Sequence, residues 1–598
     1  MNLLEYDFII VGGGTSGLVL ASRLSENPDV QVLIIEAGGN HVNDSRVNIP
    51  ALWSSLRGTD EDWGFESRPQ VELGGRRINF SQGKLLGGTS ALNAQVFVPP
   101  SKAVIDAWEE LGNPNWNWDT LKPYFAKTFN PPTERLTTEG SVANGSFTGE
   151  KRIETSYSGS LNASDPVSQA WLETFGRLDY AMNDDPFSGV GQGAFSSLSS
   201  IDPITKARSY SANAYYTPVA DRQNLNLLTN AHVTKVLLES SGISSELYAT
   251  GVQYAKDGEV KAVKARKEVI LTAGTLQSPK LLELSGIGRG DLLLNHGIDV
   301  FVDNPNVGEN LQDHIFASRA YEVQSSILTL DELAKGDPNV IKSAMEAYTT
   351  NKSGPFLSPG FGPNAFLPII EFLSKEGQKA LTVLLDETEP REKTTDSASS
   401  KYFAIAKKIL KDAKEASASF PTVITRTNVD PKLPGKFISI VAVLSMPLSR
   451  GYVHIQSANE LIAPIIDPQF LSHPLDLEVF SRHVRFIDTI ADSEPLKSTV
   501  LKAGGQRGEP SAGFNTLDDV KDFIRNTSVS MWHPTSTCSM LPRAMGGVVG
   551  PDLVVYGTSN LRVADASIMP LIPRANTQST VYAVAERAAD IIKGLHSL

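Results

Sequence analysis

Apolar and polar positions change rhythm several times along the chain, and the first change is the sharpest. Phe8, Ile9, Ile10 and Val11 form an unbroken, mostly β-branched run, the pattern of a buried parallel strand. A glycine turn follows, then helical spacing over residues 18–24, then a second apolar run over 30–35 that ends on Glu36. Farther on, residues 224–236 predict two short strands, 267–272 (KEVILT) predict another buried strand, and 437–455 alternate as sheet strands do. Residues 106–125 predict a helix with aromatic punctuation, in which Trp108, Trp116, Trp118 and Tyr124 are packing residues. Residues 368–420 predict a solvated helical insertion, with a lid or partner-binding flap as the sharper alternative. Residues 133–159 turn to Gly, Ser, Thr and Asn and predict a surface loop. Near the C-terminus, 560–570 predict a short strand, Asp565 and a turn, and 573–590 a loop and an Ala-rich helix.

The first of these segments carries chemistry. Gly12, Gly14 and Gly17 fall in the G-x-G-x-x-G spacing between a strand and a helix. Gly12 permits a tight turn, Gly14 lets a pyrophosphate approach the backbone, and Gly17 lets the helix lie close to the strand. The helix N-terminus, at Thr15 and Ser16, turns its partial positive charge toward the phosphates. Glu36 lies 19 residues after Gly17, where an acid meets ribose hydroxyls and disfavours a 2′-phosphate. The pattern implies NAD or FAD and does not choose between them.

Composition narrows the partners. The 598 residues allow more than one structural unit. A net charge of −13 argues against nucleic acid and against an anionic membrane surface. No apolar run approaches the ~18 residues of a membrane span. Cys538 is the single cysteine, so no intrachain disulfide is possible. No signal-peptide pattern precedes the first strand, which predicts a cytoplasmic protein if Met1 is the natural start. The sequons at Asn43, Asn79, Asn144, Asn162, Asn351 and Asn526 favour a secreted protein if a leader was removed. The nine histidines show no zinc spacing with supporting acids or cysteines, so no metal site is expected.

A second glycine-rich stretch, residues 83–93 (GKLLGGTSALN), would let backbone and small hydroxyl groups touch a flat ligand. With the N-terminal turn and Glu36-Ala37-Gly38, it resembles the glucose–methanol–choline family of flavin oxidoreductases. Residues 273–288 (AGTLQSPKLLELSGIG) resemble the family's second signature, and 307–314 (VGENLQDH) follow as in the family, with His314 in a structural role. The resemblance covers nearly the whole chain, apart from 368–420 and 133–159. It implies FAD, with contacts at Ala37, Gly87, Thr89, Ser90, Asn93, Ala94, Val233, Ala273, Trp532, Asp565, Ala566, Asn576, Thr577 and Gln578. Some members link the flavin through a histidine just before the asparagine; Leu92 stands there, which implies noncovalent FAD.

The resemblance also implies the catalytic pair. His533, in Trp532-His533-Pro534, matches the family histidine that faces the flavin across the substrate. An imidazole of near-neutral pKa suits removal of an alcohol proton while hydride leaves carbon. The second family position, His or Asn, is Asn576, which can hydrogen-bond an alkoxide but cannot act as a base. Sugar-oxidising relatives usually carry an arginine four residues before the histidine; Val529 stands there, followed by Ser530, Met531 and Trp532. This apolar wall implies a primary alcohol with an aromatic or otherwise apolar body, and oxygen or another electron acceptor. A non-redox lyase or cyclase on the same scaffold is the alternative.

The expected fold is α/β, with a Rossmann-like FAD domain assembled from residues 1–100, 220–320 and 530–598. A sheet-and-helix substrate domain comes from 101–219 and 321–529.

Overall fold

In the computed structural model the described residues are 4–132, 153–157, 165–182, 185–240, 246–389, 397–428, 433–574 and 576–598. The loop expected over 133–159 lies outside them except for residues 153–157, as do residues 390–396.

The first sheet has seven strands: β1 (Glu5–Val11), β2 (Val32–Ile35), β3 (Leu225–Leu228), β4 (His232–Ser240), β5 (Leu247–Lys256), β6 (Glu259–Leu271) and β7 (Leu561–Val563). Strands β3, β2, β1, β6 and β7 run parallel in that spatial order. The N-terminal half of β6 instead pairs antiparallel with β5, and β5 with β4. β6 is therefore far longer than the six residues its apolar run suggests, because its first half is a half-exposed hairpin arm. Val11 aligns with Ile35 and with Leu271, and Leu271 with Val563. The C-terminal ends of these four strands thus share one level, and the turns that follow them converge there. In a doubly wound sheet that edge is where ligands bind.

Helices α1 (Thr15–Leu24), α2 (Ser278–Leu284), α3 (Pro474–Ala491) and α4 (Gln578–His596) cover the sheets. α1 packs against α4. Arg23 of α1 donates through Nε and Nη2 to the buried carboxylate of Glu586 in α4, each at 2.9 Å. This paired geometry joins the two ends of the chain. Gly17 lets α1 approach β1: a Cβ there would lie 2.0 Å from the Gly12 carbonyl oxygen.

The second sheet is antiparallel. Its main path runs Val529–Ser530, Ile315–Glu322, Phe437–Leu444, Ala418–Ser419, Asn364–Leu367 and Gly193–Phe195, with Thr422–Val423 also on the central strand. Ile315–Glu322 straddles the expected boundary at residue 320 and belongs to this sheet. Phe437–Leu444 is buried at every position, since α3 packs across it.

Two local expectations need correction. Residues 106–125 are not one helix but parts of two, Lys102–Glu110 and Trp118–Thr128. The chain turns between them at Gly112, whose φ of +101° favours glycine. Residues 368–420 are the expected solvated helices only in part. Helices Lys375–Thr388 and Ala398–Lys411 form, yet Leu381, Leu385, Tyr402, Phe403 and Ile409 are buried, and Ala418–Ser419 is a sheet strand. Their apolar positions recur on one helical face, which packs inward while the charged face stays in water.

Candidate active site

The converging turns open a cleft of about 1460 Å³, its mouth included. Gly12, Gly14, Thr15, Ser16, Glu36, Thr89, Ser90, Asn93, Ala94 and Ala273 line it, with Trp532, His533, Asp565, Ala566, Asn576, Thr577 and Gln578. Ala37 and Val233 line a smaller hollow that shares Gly12, Glu36 and Ala273 with the cleft. Gly17 and Gly87 line neither. Gly17 serves helix packing, and a Cβ on Gly87 would meet the Tyr210 ring at 2.6 Å.

Each wall is tied down by a buried polar group. The Glu36 carboxylate accepts from the backbone N–H of Gly13 and of Gly38, both at 2.8 Å, and burial pushes its pKa up to about 7. Asp565 accepts from Gly274 N–H at 2.9 Å and Ser278 Oγ at 2.6 Å, and through its other oxygen from Ser567. It thereby holds the turn after β6 against the turn after β7. Asn93 donates to Gln578 Oε1 at 3.1 Å, and Gln578 donates to the Val96 carbonyl at 2.9 Å.

These walls suit FAD. A Cβ on Gly88 would lie 2.8 Å from Gly14 Cα, so two backbone segments meet at the cleft with no side chain between them. Gly14 and Thr577, which precede α1 and α4, give those helices no side-chain cap. The first N–H groups of both helices are therefore available to an anionic pyrophosphate or to carbonyl oxygens. Gln95 Oε1, on the cleft wall, is buried without a partner among the described residues.

At the far end His533 and Asn576 meet: Asn576 Nδ2 lies 3.1 Å from His533 Nε2. The other ring nitrogen, Nδ1, lies 3.0 Å from Nδ1 of His314, whose Nε2 lies 3.0 Å from the Ser445 carbonyl. That carbonyl can only accept, so His314 carries its proton on Nε2. Burial pulls the His314 pKa down to about 4, which keeps the ring neutral and its Nδ1 an acceptor. His533 must then donate from Nδ1. Burial, and next the adjacent His314, hold His533 well below the usual imidazole range, so it too is neutral. Its Nε2 carries a lone pair, and Asn576 donates to it.

Asp313 completes the mount. Its buried carboxylate accepts from the His533 backbone N–H at 2.8 Å and from Ser530 Oγ at 2.5 Å. Burial pushes this carboxyl up to about 7. Residues 313–314 thus grip His533 by backbone and ring together. From sequence His314 is expected to be structural, while Asp313 and Arg208 carry no signal of a role. The buried Arg208 guanidinium donates to Asn93 Oδ1 at 2.8 Å, the Val47 carbonyl at 2.8 Å and the Ser90 carbonyl at 3.2 Å, which orders the loop around residue 90. His41, Asp44 and Glu61 also gather within 4.8 Å, but Arg46 already bridges both carboxylates, at 2.6 and 2.8 Å.

Comparison with known proteins gives the family. Residues 6–316 and 447–585 match the N- and C-terminal models of GMC oxidoreductase. The chain is 36% identical to dehydrogenase citC of Monascus ruber over 98% of its own length and 96% of the relative's. Among solved structures it is similar to an FAD-dependent oxidoreductase from Chaetomium thermophilum, with TM-score 0.87 and 30% identity over 99% of this chain and 100% of that one. A fungal aryl-alcohol oxidase follows the same fold at TM-score 0.82 and 27% identity, with 99% of each chain covered. The chain belongs to the GMC oxidoreductase family of FAD-dependent oxidoreductases.

Proposed function

We propose that this protein oxidises a primary alcohol with an aromatic or otherwise apolar body, and that His533 is its general base. The observation that carries this reading is the His314–His533–Asn576 line, which keeps His533 neutral with Nε2 as the acceptor, held by the Asn576 amide until a substrate oxygen takes over that donor. In the reaction the carbinol C–H leaves as hydride, the O–H proton goes to His533 Nε2, and a carbonyl forms. The Asn576 amide donates to the oxygen as it gains alkoxide character. FAD supplies the acceptor for the hydride. Trp53, Phe361, Met531 and Trp532 form an apolar wall on this cleft, in keeping with an aromatic substrate.

The same reading assigns the adenosine end to Glu36, Ala37 and Val233, the pyrophosphate to Gly12, Gly14, Thr15, Ser16 and Asp565, and the flavin end to the remaining cleft residues. The parallel sheet, with residues 1–100, 220–320 and 530–598, would hold the cofactor, and the antiparallel sheet the substrate. FAD is held noncovalently, since Leu92 offers no atom for a flavin bond; acid precipitation should leave the yellow colour in the supernatant. Anaerobic stopped-flow reduction across alcohol classes tests the function, followed by reoxidation with oxygen and with quinones. Benzylic alcohols should bleach the flavin faster than sugars; the reverse order would reject the substrate class.

A further inference from the structure

Arg57 sits on the cleft wall between two indole rings. Its guanidinium carbon lies 4.3 Å from the Trp53 ring centroid and 4.2 Å from that of Trp532, the residue before His533. Both rings are fixed: Trp53 Nε1 donates to the Pro359 carbonyl at 2.8 Å, and Trp532 Nε1 to the Asn79 carbonyl at 2.9 Å. A planar cation held between two faces keeps its orientation.

What Arg57 lacks is an anion. Among the described residues its guanidinium has no ion pair or hydrogen-bond acceptor, and its Nε is buried and unpartnered. Buried Arg562 pairs with Glu268, and Arg208 is taken up by two carbonyls and Asn93. The nearby Asp62 is spent elsewhere, since it accepts from the backbone N–H of Gly58, Gly64 and Gln82 and from Ser81 Oγ. Burial lowers the Arg57 pKa to about 10, which leaves it cationic at neutral pH. Arg57 is part-buried and feels Asp62 only at a distance, so its guanidinium makes no direct ion pair, and a ligand carboxylate could take up its free N–H groups with two parallel hydrogen bonds.

We propose that Arg57 is a specificity-determining residue that binds a carboxylate on the substrate, so that the substrate class is an aromatic alcohol bearing an acid group. This rests on the alcohol-oxidising reading above. It adds an anionic anchor that the apolar wall by itself would not suggest.

The test uses the FAD-loaded protein, its Arg57→Met variant and its Arg57→Lys variant, each checked for flavin content. Benzoate and benzamide are titrated while the flavin absorbance is followed. 4-(Hydroxymethyl)benzoate and 4-(hydroxymethyl)benzamide are then compared as reductants. Wild type should bind benzoate at least ~10-fold tighter than benzamide, with the same order in kcat/KM. Arg57→Met should abolish that preference, and Arg57→Lys should retain part of it. Equal binding of the two probes by wild type, or a preference that survives in Arg57→Met, would overturn the proposal. If Arg57→Met does not load FAD, the wild-type pair and Arg57→Lys decide. A benzoate preference without bleaching by either alcohol would uphold the anion site and reject the alcohol oxidation.

Discussion

His314 and His533 meet Nδ1 to Nδ1 at 3.0 Å although 219 residues separate them in the chain. The contact fixes a tautomer. Because Ser445 commits the far nitrogen of His314, His533 is obliged to keep its proton on the side away from Asn576. His314 is therefore a positioning residue.

Replacing His314 by Phe keeps a ring but removes the acceptor. His533 can then place its proton on Nε2, where it blocks proton uptake. Flavin reduction by alcohol should slow by ~10- to 10²-fold, with FAD content unchanged. Asn at the same position offers a carbonyl to Nδ1–H and should recover part of the rate. An unaltered rate in His314→Phe would remove this role.

The pH profile follows from the same pair. Burial, and then His314, hold His533 well below the ordinary 6.5. A base must be deprotonated to act, so the rate constant for flavin reduction should be flat near neutral pH and fall only well on the acid side. In His314→Phe one of the two depressing causes is gone, and the acid limb should move to higher pH. A limb at or above ~6.5 in wild type would contradict the assignment.

His533→Ala removes the base outright and should cost ~10²-fold or more in the reduction step. Asn576→Ala leaves the base in place and removes one donor to the developing alkoxide, a loss of ~10- to 10²-fold. Both variants should still bind FAD, since each loses at most one of many cleft contacts. Rapid-quench or stopped-flow reduction, normalised to flavin content, separates the two losses.

How much of this was legible beforehand depended on distance along the chain. Gly12, Gly14, Gly17 and Glu36 stand within one strand–turn–helix–strand unit, so their spacing alone pointed to a dinucleotide site. His533 and Asn576 became readable through the resemblance, because each stands in a local motif. His314 and Asp313 did not, since their work is done on a loop 219 and 220 residues away. Arg57 and Arg208 carry no motif, and only the folded chain shows the first without an acceptor and the second bound to two carbonyls and Asn93. The helices Lys375–Thr388 and Ala398–Lys411 were expected, but their buried faces and the strand Ala418–Ser419 were not, because composition reports charge, whereas apolar spacing decides packing.

The glycine contact at the cleft wall gives a test of the cofactor site that does not depend on turnover. Gly88 has φ +51°, and an added Cβ would lie 2.8 Å from Gly14 Cα. Gly88→Ala would push apart the two backbone segments that the cofactor must span. The variant should purify with little or no flavin while keeping wild-type circular dichroism. Full flavin content in Gly88→Ala would mean that this contact is not part of the FAD site.

Stability should also carry a pH signature away from the chemistry. His454 is buried between Glu283 of α2, at 2.7 Å, and Glu309, at 3.0 Å. Despite burial, the hydrogen bonds and charges of these carboxylates raise its pKa to about 9. An unfolded histidine titrates near ~6.5, so the stabilisation is fully present below that pH and is lost as pH rises toward 9. The shift corresponds to about 3 kcal/mol. Burial pushes Glu283 up from its ordinary acid range, an opposing cost incurred once that carboxylate is charged. In His454→Gln the pH-dependent part disappears. The difference in Tm between wild type and variant should therefore be large at about pH 6 and much smaller at about pH 10, because titrations common to both proteins cancel. A difference that stays constant across that range would mean that His454 is held as a neutral ring and the pairing with Glu283 is not ionic.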